Sequence, residues 1–329
     1  MTHERDLHVD TKSLRMVAAP AAILLALGLA ACGGDDDSGG GSGDLSGSVK
    51  IDGSSTVFPL SNAAAEFYRE EAPDVSVTVG QSGTGGGFEA FCAGKTDISD
   101  ASRPIKEDEE VPVCEENGID FTELHVATDA LTVVVNPDVP IDCITTEQLN
   151  TIWAPEAEGK ITNWNQVDPS FPDLELKLFG PGTDSGTFDY FTDEINGEEG
   201  VSRADYEASE DDNVLVEGVA NTDGAMGYFG FTYFEENADK LKALEVDSGG
   251  GCVAPSVETA QDGSYTPLAR PLFIYVASKS YAEKAQVAGF VDYYIANLDE
   301  IATEAQYIPL NEDQLGETQS ALDSLGAGA

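Results

Sequence analysis

The chain has 329 residues, 41% of them hydrophobic, which is enough for two domains with sizeable cores. Sixteen basic residues against 61 acidic ones give a formal charge of −45, so nucleic acid and anionic lipid are poor partners. That acidity serves solubility, and it makes each cation informative, because an anion held within so negative a shell needs local donors and a local charge.

Arg5, Lys12 and Arg15 precede an apolar run from Met16 to Ala31 that ends in Leu29-Ala30-Ala31-Cys32 and is too short for a comfortable membrane span. This resembles a bacterial lipoprotein signal, with Met16 as an alternative start. The resemblance implies a signal peptide over residues 1–31, cleavage before Cys32 and diacylglycerol on its sulfur, so the mature chain would be tethered to the membrane. Residues 32–47 would then be the lipidated cysteine and a Gly, Ser and Asp linker with almost nothing to bury. Cleavage removes Glu4, Asp6 and Asp10 together with Arg5, Lys12 and Arg15, and leaves the charge unchanged.

Val49 and Ile51 predict a short strand that delivers the loop Gly53-Ser54-Ser55-Thr56-Val57-Phe58-Pro59. Leu60, Ala63, Ala64, Phe67 and Tyr68 then fall on one face of an amphipathic helix. Val75, Val77 and Val79 alternate as a strand into a second loop, Ser82 to Gly87, which opens a helix at Phe88, Phe91 and Cys92. Strand, loop, helix, strand is an α/β pattern, and ligands of open α/β sheets bind beyond the carboxyl ends of the strands. After Ser99 to Pro104 comes an acidic stretch through Glu116, then a strong strand at Leu131–Val135. Trp153 and Trp164 are expected in core or lid packing rather than at a ligand. Leu174, Leu176 and Leu178 lead to a third loop, Gly182-Thr183-Asp184-Ser185-Gly186-Thr187, ahead of a helix at Phe188, Phe191 and Ile195. Gly224 to Tyr228 reads as a turn and buried strand, Leu272–Val276 as another, and Val287 to Ile295 as a last helix; the end from Thr318 is expected to fray.

Three glycine- and hydroxyl-rich loops that each open a helix present backbone N–H groups and a favourable dipole to an anion. Ser55, Thr56, Thr84, Ser102, Ser185 and Thr187 add hydroxyl donors, and Arg103 a bidentate fork. Enzymatic patterns are weaker. After the signal only His125 remains for a catalytic triad, no Gly-x-Ser-x-Gly elbow occurs, and Glu89 stands where Gly94-Lys95-Thr96 would need a P-loop glycine. A surface hydrolase using Ser185 and a structural surface protein are the alternatives from other classes. No metal or cofactor is expected.

Together, Gly53–Pro59, Ser82–Gly87, Asp97–Pro104 and Asp184–Phe188 resemble the binding loops of the substrate-binding proteins of the high-affinity phosphate ABC transporter, with a likeness from about Val49 to Tyr307. The resemblance implies a two-lobed periplasmic-binding-protein-like α/β fold of type II with two crossing strands as hinge. Its partners would be inorganic phosphate, permease subunits and, through the lipid, the cell membrane; it would act outside the cytoplasm as a monomer and not as an enzyme. Carried over by position, the phosphate contacts are Ser55, Thr56, Val57 and Phe58, then Thr84, then Ser185, Gly186 and Thr187, with Ser102 added as a hydroxyl donor. The branch with Ser-Arg-Pro and Asp-Ser-Gly-Thr loops further implies that Arg103 neutralises phosphate and Asp184 accepts its proton. Sulfate or molybdate would be the competing oxyanions.

The lobes would comprise residues 48–130 plus 268–320, and 131–267. Of the three pairings open to Cys92, Cys114, Cys143 and Cys252, Cys92 with Cys114 and Cys143 with Cys252 keeps each disulfide within one lobe.

Overall fold

Val49, Ile51 and Gly53 turn inward at alternate positions of one strand, and the following Leu60, Ala64 and Tyr68 bury one face of the Phe58–Glu71 helix against it. The computed structural model describes residues 45–328. The predicted signal peptide and Cys32 lie outside the described residues. Among those described, the strands are β1 (Gly47–Gly53), β2 (Val75–Val79), β3 (Ile98–Ala101), β4 (Phe121–Val135), β5 (Cys143–Thr145) and β6 (Lys177–Pro181). They continue with β7 (Glu207–Ser209), β8 (Ala225–Gly230), β9 (Lys242–Ala243), β10 (Glu245–Asp247), β11 (Cys252–Val253) and β12 (Ala269–Ala277).

Nine strands form one curled sheet in the order β2-β1-β3-β12-β4-β8-β6-β7, with β9 also paired to β4; β11, β10 and β5 form a small separate sheet. The β1, β2 and β3 strands are parallel, as are β6, β7 and β8. Between these groups run β12 and β4, antiparallel from Ala269 opposite Ala130 to Ala277 opposite Phe121. β4 then continues past Ala130 to pair with β8 from Leu131 to Val135. It is therefore longer than the predicted Leu131–Val135 segment and belongs to both halves of the sheet.

Two large cores lie on either side of this crossing. Val49, Leu60, Ile98, Val126, Ile274 and Phe290 meet in one; Leu131, Ile144, Trp153, Trp164, Phe191 and Tyr228 meet in the other. Leu268 sits in the second core and Leu272 in the first, so the chain entering β12 also crosses between them. The fold is thus the two-lobed α/β architecture with two crossing strands. Both tryptophans are fully buried, and both expected disulfides are formed.

The carboxyl-terminal segment departs from expectation. Glu312–Ala327 is a helix, capped by the Asn311 side chain, with Thr318, Leu322 and Leu325 buried. Thr318 is held there because its hydroxyl donates to the His125 carbonyl at 2.9 Å. Within the described residues, no helix is long and apolar enough to cross a membrane.

Candidate functional site

The parallel strands β1 and β3 end side by side, and the second loop is drawn onto them by the absence of side chains. A Cβ on Gly87 would lie 2.5 Å from the Gly53 Cα, and a Cβ on Gly53 would lie 2.1 Å from the Asp100 carbonyl oxygen. Any larger residue at Gly87 would push the second loop off the end of β1, and one at Gly53 would push β1 from β3.

In the first loop, buried Ser54 organises the backbone. Its Oγ accepts from the Thr56 and Val57 N–H groups at 3.2 and 3.4 Å, and its carbonyl accepts from Phe58 N–H at 3.0 Å. The Thr56 carbonyl accepts from the Tyr307 hydroxyl at 2.8 Å, and the Thr56 Oγ1 accepts from Arg270 Nη2 at 2.8 Å. The Thr56 hydroxyl proton remains available to a further acceptor. Thr84 of the second loop and Ser102, just after β3, are joined at 3.1 Å, and Ser102 N–H donates to the Thr84 Oγ1. Across the cleft, Ser185 caps the Gly186–Phe191 helix by accepting from Thr187 N–H at 3.2 Å.

These loops meet. Ser55, Thr56, Thr84, Ser102 and Gly186 line a cavity of about 60 Å³, with Arg270, Tyr190, Asp189, Asp193 and Glu199 completing the wall. A space of that size holds a few water molecules, which suits a small ion. It continues into a wider cleft of about 540 Å³, bordered by Arg103 and Glu194.

Arg270 supplies the cation of the cavity. Its Nε bonds the Asp129 carboxylate at 3.3 Å, and its Cζ lies 3.5 Å from the Tyr190 ring centroid. Burial pushes the Asp129 carboxyl above its ordinary range, while the Arg270 charge and hydrogen bond pull it back down. The Asp189 carboxyl is also raised, first by burial and then by the Glu199 charge, with Arg270 opposing. Hydroxyl donors, a guanidinium and a carboxylate with raised proton affinity together suit an oxyanion that still carries a proton.

A PBP superfamily domain model matches residues 38–297. The chain is 40% identical over 306 residues to the phosphate-binding protein PstS of Staphylococcus saprophyticus, an alignment that covers 92% of each chain. It belongs to the PstS family. Protein SphX of Synechococcus elongatus is 53% identical over 263 residues, 80% of this chain and 77% of that one. A crystal structure described as a possible phosphate binding protein from Planctomyces limnophilus is 44% identical, with a TM-score of 0.82, covering 86% of this chain and 99% of that one.

Of the two charged residues expected at the anion, neither lines the small cavity. Arg103 is bound by Glu110 through two hydrogen bonds at 2.7 and 2.9 Å and by the Pro104 carbonyl at 3.0 Å. A carboxylate seven positions along the chain thus takes the fork that the motif assigned to phosphate, and Arg103 reaches only the outer cleft. Asp184 is exposed and absent from the cavity wall, because Ser185 rather than Asp184 begins the helix. Val57 is fully buried, and the Val57 and Phe58 N–H groups are taken up by Ser54. Ser185 serves as a cap, and Thr187 borders a separate cavity behind Asp129.

Sequence reasoning did not single out Arg270 or Asp189, both of which line the cavity. Asp189 is legible only as the residue four beyond Ser185, one helical turn into the third loop's helix.

Proposed function

We propose that this chain captures inorganic phosphate between its lobes outside the cytoplasm and delivers it to the permease of an ABC transporter. What carries the reading is the convergence of donors from four segments, Ser55 and Thr56, Thr84, Ser102, and Gly186, on a small cavity that also holds the Arg270 guanidinium, in a chain of the PstS family. Arg270 supplies the charge, with Arg103 at the entrance. Asp189 takes the role that the loop motif suggests for Asp184 and accepts the P–OH proton of phosphate. Sulfate has no such proton near neutral pH, so a carboxylate in the wall would face it unpaired and repel it.

The lobes are residues 48–130 plus 268–320, and 131–267, and they close about β4 and β12. Closure excludes water and strengthens each charge-assisted bond in the site. Cys32 carries the lipid that tethers the mature protein, and residues 33–47 hold the globule off the membrane. The protein works as a monomer and performs no chemistry on the ion.

Thermal unfolding of the dialysed soluble domain tests the reading. A ligand present at about 1,000 times its Kd stabilises by about 4 kcal/mol, so phosphate should raise the melting temperature by several degrees and sulfate should leave it in place. Equal shifts would make the protein a general oxyanion binder. No shift with either would remove the binding function.

A further inference from the structure

Tyr190 touches the cavity's cation as well as the core of its own half of the sheet. Its ring packs in the core around β6 and β8, whereas Arg270 lies near the start of β12, where the strands cross, and its side chain bonds Thr56 and Asp129 of the other half. The two nevertheless meet face on, with the guanidinium carbon 3.5 Å from the ring centroid. Tyr190 is 3% exposed, and attraction between a guanidinium and an aromatic face strengthens as water is excluded. The hydroxyl is occupied elsewhere, donating to the Pro267 carbonyl at 2.5 Å. It is therefore the ring face that holds Arg270. Asp129 takes Nε and Thr56 takes one Nη2 proton, which leaves three of the five guanidinium N–H groups for an anion.

We propose, resting on the phosphate reading of the cavity, that Tyr190 is a positioning residue that orients the Arg270 guanidinium toward the anion and, through it, draws the two lobes together. The stack joins protein groups only, so it favours closure whether or not an anion is bound. An anion that binds only the closed arrangement has an apparent Kd inversely proportional to the fraction of molecules in it.

The test compares wild type, Tyr190→Leu and Tyr190→Phe by phosphate calorimetry, and by small-angle X-ray scattering of the dialysed proteins. Tyr190→Leu keeps an apolar side chain without a π face and should weaken phosphate binding about tenfold, with a larger radius of gyration. Tyr190→Phe should recover most of the affinity and the compact dimension. Should Tyr190→Leu fail to fold, Tyr190→Met, whose longer side chain occupies more of the ring's space without a π face, supplies the scattering comparison and should expand the protein likewise. Unchanged affinity and dimension in Tyr190→Leu, or a loss in Tyr190→Phe equal to that in Tyr190→Leu, would overturn the proposal. If wild type itself binds no phosphate, the functional reading fails, and scattering alone still decides whether the stack closes the lobes.

Discussion

Arg270 and Asp129 stand opposite each other on β12 and β4, with the Arg270 Nε 3.3 Å from the Asp129 Oδ2. Both side chains are largely buried, at 18% and 6% exposure. Removing one partner of such a pair leaves the other charge stranded, at a cost of about 3–5 kcal/mol. Arg270→Gln should therefore lower stability in urea melts as well as reduce phosphate affinity by about 100-fold or more. Arg103→Gln releases Glu110 at the partly exposed edge of the cleft and should cost about tenfold or less. Equal losses in calorimetric titrations of the two variants would return Arg103 to the cavity.

Asp189 is the specificity test. With its carboxylate in the wall, phosphate donates a proton to it and sulfate cannot. Asp189→Asn should weaken phosphate binding and strengthen sulfate binding, narrowing the ratio of affinities by about tenfold or more. Asp184→Asn should leave that ratio unchanged, since Asp184 lies outside the wall. Competition between the two anions in isothermal titration measures both. An unchanged ratio in Asp189→Asn would remove the residue from this role.

Asp100 links stability to pH. Its Oδ1 accepts from the Ser61 hydroxyl at 2.9 Å, and its Oδ2 has no partner among the described residues. Burial pushes its pKa up to about 8, with the Ser61 bond opposing and the Asp52 charge adding. An unfolded aspartate titrates near pH ~3.9. Between those values the folded state holds a proton that the unfolded state has lost, so stability from this group is full below about pH 4 and is lost as the pH rises toward and through about 8. Asp100→Asn keeps the neutral form. It should flatten that decline and melt higher than wild type at pH 8, as followed by circular dichroism; a steeper decline would contradict it.

Gly186 fixes how closely the third loop approaches the first. A Cβ there would lie 3.1 Å from the Thr56 Oγ1, which Arg270 already holds. Gly186→Ala should leave the melting temperature nearly unchanged and weaken phosphate binding by about tenfold. Wild-type affinity in this variant would show that the loops do not meet around the ion.

The parts legible in the sequence were those written in local periodicity. Leu60, Ala63 and Ala64 announce a helix face, Val75, Val77 and Val79 a strand, and the three loops the carboxyl ends of parallel strands. The hidden parts depend on partners distant in the chain. The first nine residues of β4 mix Thr122, Glu123 and His125 with apolar positions and end at the buried charge of Asp129, so the run has no apolar signature until Leu131. Asp129 is tolerated inside only because Arg270, 141 residues on, lies on the neighbouring strand. Neither residue signals a site alone. The carboxyl-terminal helix was obscured because Thr318 stands at a core position, satisfied by a carbonyl of β4. In the opposite sense, the Ser102-Arg103-Pro104 motif was legible but incomplete, because Glu110 decides where the guanidinium goes.

Phosphate capture is most directly tested by calorimetric titration of the dialysed soluble domain, begun after the linker, with phosphate and then sulfate near pH 7. Tight one-to-one binding of phosphate with no measurable sulfate heat is the predicted result. Comparable binding of sulfate, or no binding of phosphate, would contradict it.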